Sequence, residues 1–377
     1  MAFTFIHTAD WQLGKSFGQF PEDIGGALRL ARQRVISKIA EAATAAGAKH
    51  VLVAGDVWDS AIPSNTTLRQ PLTIMGEAAE LQWWLLPGNH DPDGPDGLWD
   101  RIDTIKPANV RTLRSAEAVE IKKGVFILPA PWTRIQHGRD LTDWMPACET
   151  AKGALRIGLA HGGVRGFGSE GEGAREIIPP DRAETARLDY LALGDWHAHA
   201  EISTRAAYPG TPEPDRHKVG ARGQVLAVTL EVGKAPVVET VPTASYDWPL
   251  IDLAVEPGTI EAKLKDLRAA LQAGHPLRRT HVRLNISGEM TVEDWAMFET
   301  FKDEMTGECA SFDLRGANLV RLVVVAEDIE SLDAQGSVRE AAEALAAKSE
   351  DPDISREDRQ IASEALRLLF RYAGETA

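Results

Sequence analysis

The sequence predicts an α/β fold of layered sheets flanked by helices. Short apolar runs alternate with stretches of helical spacing through the first ninety residues. The second stops at Gly55 and the third at Pro87-Gly88. Polar residues able to hold metals follow the runs directly, where folds of this class gather their sites.

The elements read off in order. Phe3–His7 is a short apolar strand. Residues 26–46 fit a helix, with Leu30, Val35, Ile39 and Ala42 near helical spacing and Gly47 suited to its C-terminal cap. His50–Ala54 is a second strand, 65–80 a second helix, and Gln82–Leu86 a third strand stopped by Pro87-Gly88. Strands follow at Val125–Leu128 and Arg156–Ala160, then a helix at 181–188 and a strand at Tyr190–Leu193.

Composition shifts after Val241-Pro242. Residues 250–256 and 281–287 alternate like strands, with a helix at about 259–273 between them and a further apolar run at Leu319–Val325. Ser337-Val-Arg-Glu340 and Ser355-Arg-Glu-Asp358 both fit a capping box, and Pro352 separates two terminal helices. Ile361, Ala365, Leu368, Leu369 and Tyr372 share one face of the last helix. The expected domains are a catalytic domain at 1–245, a small α+β capping domain at 246–332, and a helical tail at 333–377.

Composition narrows the function classes. The chain has 377 residues, enough for one large core and a smaller domain. No apolar segment is long enough for a membrane span, and the N-terminus lacks a signal sequence, so a cytoplasmic protein is expected. Cys148 and Cys309 lack the spacing of a zinc module or a disulfide framework. The net charge of −15 opposes simple nucleic-acid binding; a polyanionic substrate would need bound cations, a local basic surface or a partner protein.

Five runs carry the chemistry: Asp10-Trp11-Gln12, Gly55-Asp56-Val57-Trp58-Asp59, Gly88-Asn89-His90-Asp91, Ala160-His161-Gly162-Gly163 and Gly194-Asp195-Trp196-His197. Alone, each reads as a turn or a hydrogen-bonded core histidine. Five in this order, each ending an apolar segment, point to a phosphoesterase centre holding two divalent ions. Such a pair polarises the phosphate and activates water, and the protein supplies a bridging carboxylate with further carboxylate, amide and imidazole ligands. Asp56 suits the bridge, Asp10 one ion, and Asn89 and His161 the other. His90 can face the substrate and protonate the leaving oxygen, with Asp91 to orient it.

Two features keep two readings each. The Gly-rich stretch from His161 to Pro179 is a surface loop or a flap whose Arg165 and Arg175 meet phosphates. Trp11, Trp58 and Trp196 either rim the site for base stacking or pack beneath it; packing is favoured because alternate strand-end residues point inward.

His7-Thr-Ala-Asp-Trp-Gln-Leu-Gly14, Gly55-Asp-Val-Trp-Asp59, Gly88-Asn-His-Asp91 and Tyr208-Pro-Gly-Thr-Pro-Glu-Pro214 resemble the calcineurin-like metallophosphoesterases. Within them the chain looks most like the SbcD exonucleases, the nuclease subunits of the SbcC–SbcD DNA repair complex. The opening run and the Tyr-Pro-Gly-Thr-Pro-Glu-Pro run carry that finer likeness, which covers about residues 3–232. The resemblance implies a layered metallophosphoesterase β-sandwich flanked by helices, with metal ligands at Asp10, Asp56, Asn89, His161 and His197 and the catalytic acid at His90. It further implies two manganese ions, with magnesium the alternative, and DNA ends or hairpins as substrate. A coiled-coil SbcC-like ATPase would be met by the tail, in a heterotetramer built on a homodimer.

Two positions depart from that pattern: Gln12 and Asp195 stand where the family usually has His. As ligands they would add oxygen donors and one negative charge, which favours manganese or magnesium over zinc and weakens Lewis acidity. A small-nucleotide phosphodiesterase and a metal-poor scaffold subunit are the alternative readings. The C-terminal 130 or so residues argue against the first, while Gln12 and Asp195 sustain the second.

Overall fold

A computed structural model describes residues 2–133, 138–167, 176–217, 222–324, 328 and 336–375. The chain forms two compact units, Met1–Ser245 and Tyr246–Ala377.

The first unit is a mixed α/β sandwich. Its strands are β1 (Phe3–Thr8), β2 (His50–Val53), β3 (Gln82–Leu85), β4 (Val110–Thr112), β5 (Val119–Lys122), β6 (Val125–Ala130), β7 (Leu155–His161), β8 (Gly163–Val164), β9 (Glu176–Ile178), β10 (Tyr190–Gly194), β11 (Ala200–Ser203), β12 (Ala206–Tyr208), β13 (Gln224–Leu230) and β14 (Val237–Pro242). Its helices are α1 (Glu22–Ala45), α2 (Asn65–Glu77), α3 (Leu98–Ile105) and the single turn α4 (Arg182–Thr185). One sheet runs β14-β13-β1-β2-β3-β4, the other β11-β12-β10-β7-β6-β5. β1 to β4 are parallel, as are β6, β7 and β10, so their carboxyl ends point one way within each sheet.

Period-two alternation builds the layers. In β2 and β3, Val51, Val53, Trp83 and Leu85 join the cluster that packs Val35, Ile39, Leu72 and Ile102 of the helices. Leu52 and Trp84 face the other way, where Phe5, Ile127, Leu159 and Tyr190 fill the interior. Leu128, Ala160, Leu191 and Leu193 pack on the far side against Met145, Ala183 and Leu188. Of the stripe expected on α1, Leu30 is exposed, and Leu28 is buried in its place.

In the second unit, β15 (Leu250–Val255), β16 (His281–Thr291), β17 (Ser311–Arg315) and β18 (Arg321–Val323) form a four-stranded sheet, with β15, β17 and β18 each parallel to β16. Helices α5 (Ile260–Gln272) and α6 (Val292–Glu308) pack on it through Leu264, Leu267, Phe298, Phe301 and Met305. The two helices expected as a separate tail, α7 (Ser337–Glu350) and α8 (Arg356–Glu375), belong to this unit. Leu366 and Ala342 cluster with Leu322 of β18, and the Arg367 guanidinium donates to the carbonyls of Ala317 and Val320. Ser355 caps α8 by accepting from the Asp358 amide at 3.0 Å. Ser337 does not cap α7; Gly336 takes the capping position at φ +77°. No helix among the described residues is long and apolar enough to cross a membrane.

Candidate metal centre

The strand ends bring five loops together. Asp10 and Gln12 follow β1, Asp56 follows β2, Asn89 and His90 follow β3, His161 ends β7, and Asp195 and His197 follow β10. Backbone bonds join the first two loops: Asp10 N donates to Gly55 O, and Gln12 N to Asp56 O. The Asp195 amide donates to the Asp10 carboxylate at 3.1 and 3.2 Å, and Gly162 N donates to Gly194 O. Tyr208 OH donates to Gly162 O, and Thr211 Oγ1 to Asp10 O, so the Tyr-Pro-Gly-Thr run ties the last loop to the first and fourth.

Close approach demands glycine at two of these turns. A Cβ on Gly55, at φ +85°, would lie 2.3 Å from His161 Nδ1. One on Gly88 would lie 2.2 Å from Asp56 Oδ1. The ligand candidates themselves are held in left-handed backbone: Asp10 at φ +56°, Gln12 at +43°, Asp56 at +53° and Asp195 at +101°. A side chain there costs roughly 1–2 kcal/mol, and strain of this kind concentrates where a site over-determines it.

The donors converge. Ligand atoms of Asp10, Asp56 and His161, all three buried, lie within 4.8 Å of one another. Around His161 Nε2 stand Asn89 Oδ1 at 2.7 Å, Asp56 Oδ1 at 3.4 Å and Asp195 Oδ1 at 3.7 Å. His197 Nε2 lies 3.9 Å from Asp10 Oδ1 and 3.2 Å from Gln12 Nε2. Burial pushes the Asp10 carboxyl up to about 6, against the pull of His197 and His161. Burial lowers His161, but Asp56, Asp10 and Asp195 outweigh it and hold the ring at about 9. Buried carboxylates crowded on imidazoles form a donor set that fits a divalent cation.

His90 and Asp91 separate. The His90 imidazole is 42% exposed, its Nε2 3.9 Å from Asp56 Oδ2 and its Nδ1 3.2 Å from Asp59 O. Asp91 does not orient it. Its buried carboxylate accepts from Trp58 N at 3.0 Å and Gly88 N at 2.7 Å, bracing the second loop on the third. The carboxylate nearest His90 Nδ1 is that of Asp59, 3.9 Å away. Burial and the Asp56 charge push Asp91 well above the ordinary carboxylate range.

The sequence did not point to a second ring of groups. Buried Asp215 meets Lys15 at 2.7 Å, Arg216 at 3.0 Å, Arg32 at 3.3 Å and His197 Nδ1 at 3.8 Å. Against its burial, His197, Arg32 and Lys15 hold its carboxyl far below the ordinary range. Asp215 directly follows the Tyr208–Pro214 run, the one signal that could have singled it out. Trp11 and Trp58 are fully buried, edge-on to Trp83 and Trp99, and so pack beneath the loops. Trp196 is half-buried against Phe167. Arg165 is exposed on the turn after β8; Arg175 lies outside the described residues, as do Gly168, Gly171 and Gly173.

A sandwich with buried carboxylates and imidazoles at one edge defines a metal-dependent phosphoester hydrolase. The chain belongs to the calcineurin-like phosphoesterase family, whose model matches residues 3–200. Among solved structures it is similar to TT1561 of Thermus thermophilus, at 13% identity over 64% of this chain and 100% of that one, TM-score 0.40. It is also similar to purple acid phosphatase PPD1 from yellow lupin seeds, at 12% identity over 64% of this chain and 52% of that one, TM-score 0.41. No curated protein matches it.

Proposed function

We propose that this chain is a manganese-dependent DNA nuclease that works with an SbcC-like coiled-coil ATPase. The observation that carries the reading is the Tyr208–Pro214 run, the part of the sequence that looks specifically SbcD-like, tied by Tyr208 and Thr211 onto the loops of His161 and Asp10. Asp56, with a ligand atom within 4.8 Å of those of Asp10 and His161, would serve as the shared carboxylate. Asp10 and His197 would hold one ion, and Asn89, His161 and Asp195 the other; such ions would supply Lewis acidity to a phosphodiester. The exposed His90 imidazole delivers a proton to the leaving oxygen, held by the Asp59 carbonyl.

Charge distribution supports a polyanionic substrate at the first unit. Residues 246–377 hold 15 Lys and Arg against 26 Asp and Glu, so most of the net charge of −15 lies there. The first unit is close to balance, and Arg165, exposed beyond the His161 loop, is a phosphate contact in this reading. On α8, Ile361, Leu368 and Tyr372 stay exposed while Leu366 and Ala362 are buried, which leaves an apolar stripe for the ATPase. In the assembly two copies would pair within a heterotetramer.

Substrate choice tests the proposal. Purified protein with manganese should cut single-stranded DNA, lose this with chelator, and do less with magnesium. Hydrolysis of cyclic nucleotides with DNA left intact would favour a small-nucleotide phosphodiesterase.

A further inference from the structure

Gln12 lies among the ligand candidates, yet its side chain is already committed. Its Oε1 is 3.2 Å from Lys15 Nζ, and its Nε2 is 3.2 Å from His197 Nε2. A lysine ammonium has three donors and no acceptor, so only the amide oxygen can face it. Lys15 is itself fixed, 2.7 Å from Asp215, which Arg32 and Arg216 hold from other sides. The amide is therefore keyed, with oxygen toward Lys15 and the NH2 group toward His197. An amide NH2 is a donor and offers a cation nothing. It also takes up the imidazole nitrogen that a cation would need.

The two halves of the centre differ as a result. Around His161 Nε2, three oxygens from Asn89, Asp56 and Asp195 complete a four-donor set. At the other end His197 and Asp10 share the position with an N–H donor. We propose that Lys15, acting through Gln12, makes the two cation positions unequal: the Asn89–His161–Asp195 position binds a divalent ion tightly and the Asp10–His197 position binds one weakly. This rests on reading the site as a two-ion centre. Filling the weak position requires the amide to leave His197, or to turn and strip Lys15 of its acceptor. A hydrogen bond to a charged group is strong enough that the second affinity falls by roughly tenfold or more. Free metal concentration then grades the fraction of enzyme that is fully loaded.

Manganese titration of the metal-free, full-length protein tests this, with free manganese read by electron paramagnetic resonance and heat by calorimetry. Wild type should bind two ions in steps at least roughly tenfold apart. Lys15→Met frees the amide to turn and should tighten the weak step while leaving the strong one in place. Gln12→Glu offers an oxygen at both ends and should tighten the weak step by an independent route, so the test survives if Lys15→Met does not fold. Two equal ions in wild type, or a folded variant whose weak step does not move, would overturn the proposal. Binding of no manganese at all would overturn the two-ion reading beneath it.

Discussion

His161 Nδ1 lies 2.8 Å from the carbonyl oxygen of Ala54. A carbonyl only accepts, so Nδ1 carries a proton and Nε2 is the nitrogen turned to Asn89, Asp56 and Asp195. The backbone at the end of β2 thus sets the tautomer of a candidate ligand at the end of β7, in the way that outer-sphere acceptors orient metal-binding imidazoles.

A pH dependence follows. His161 is held up at about 9 and Asp10 at about 6, and each must lose its proton to ligate. Manganese affinity should rise steadily from pH 6 to pH 9, with protons released on binding. For the metal-free protein the sign is opposite: the raised His161 value adds stability below its ordinary 6.5 that is lost as pH rises through about 9. Its melting temperature should fall over that window, and His161→Ala should flatten the fall. Affinity independent of pH would remove His161 from the ligand set.

Binding and proton delivery should separate by mutation. His90→Ala should leave metal content unchanged and lower turnover by roughly 10²-fold or more. Asp56→Ala should lose metal and activity together. Metal analysis beside initial rates decides this, and an emptied site in His90→Ala would make His90 a ligand.

Asp91 serves the loops. Asp91→Ala leaves the Trp58 and Gly88 amides without their acceptor, at roughly 1–3 kcal/mol for each buried donor. Urea unfolding should show a loss of a few kcal/mol, and Asp91→Asn should recover part of it. An unchanged unfolding midpoint would show that the brace is unimportant.

The two faces of α8 predict opposite outcomes. Leu366→Ala opens the buried cluster and should destabilise the second unit by roughly 2–5 kcal/mol. Ile361→Ser with Leu368→Ser should leave the melting curve in place and abolish co-purification with the ATPase partner proposed above. Retained association would move the docking surface elsewhere.

Much of this was legible in the sequence, and the losses have physical causes. Strand ends at Asp10, Asp56, Asn89, His161 and Asp195 announced themselves because a parallel strand must stop in a turn, and turns need Gly, Pro or Asp. Helix α6 passed unread although Phe298, Phe301 and Met305 carry its buried face, because β16 runs without a break into its first residue. Helix α3 and the strands β4, β5, β8, β9, β11 to β14 and β17 were also missed. Lys15, Arg32 and Asp215 come together from distant segments with no shared motif, so only the fold reveals them. For α8, periodicity found an apolar stripe, but the buried residues are Ala362 and Leu366, and Leu369 of that stripe packs beside them only partly buried. The apolar residues between Ile361 and Tyr372 spread over adjacent faces of the helix, so their spacing does not declare which stripe the core takes.

The most direct test of the two-ion centre is anomalous diffraction at the manganese edge from crystals grown in the metal. Two peaks about 3.5–4 Å apart, sharing Asp56, with His161, Asn89 and Asp195 at one and Asp10 and His197 at the other, are the expected result. No peak in this cleft at saturating manganese, or manganese bound only outside these five loops, would contradict it.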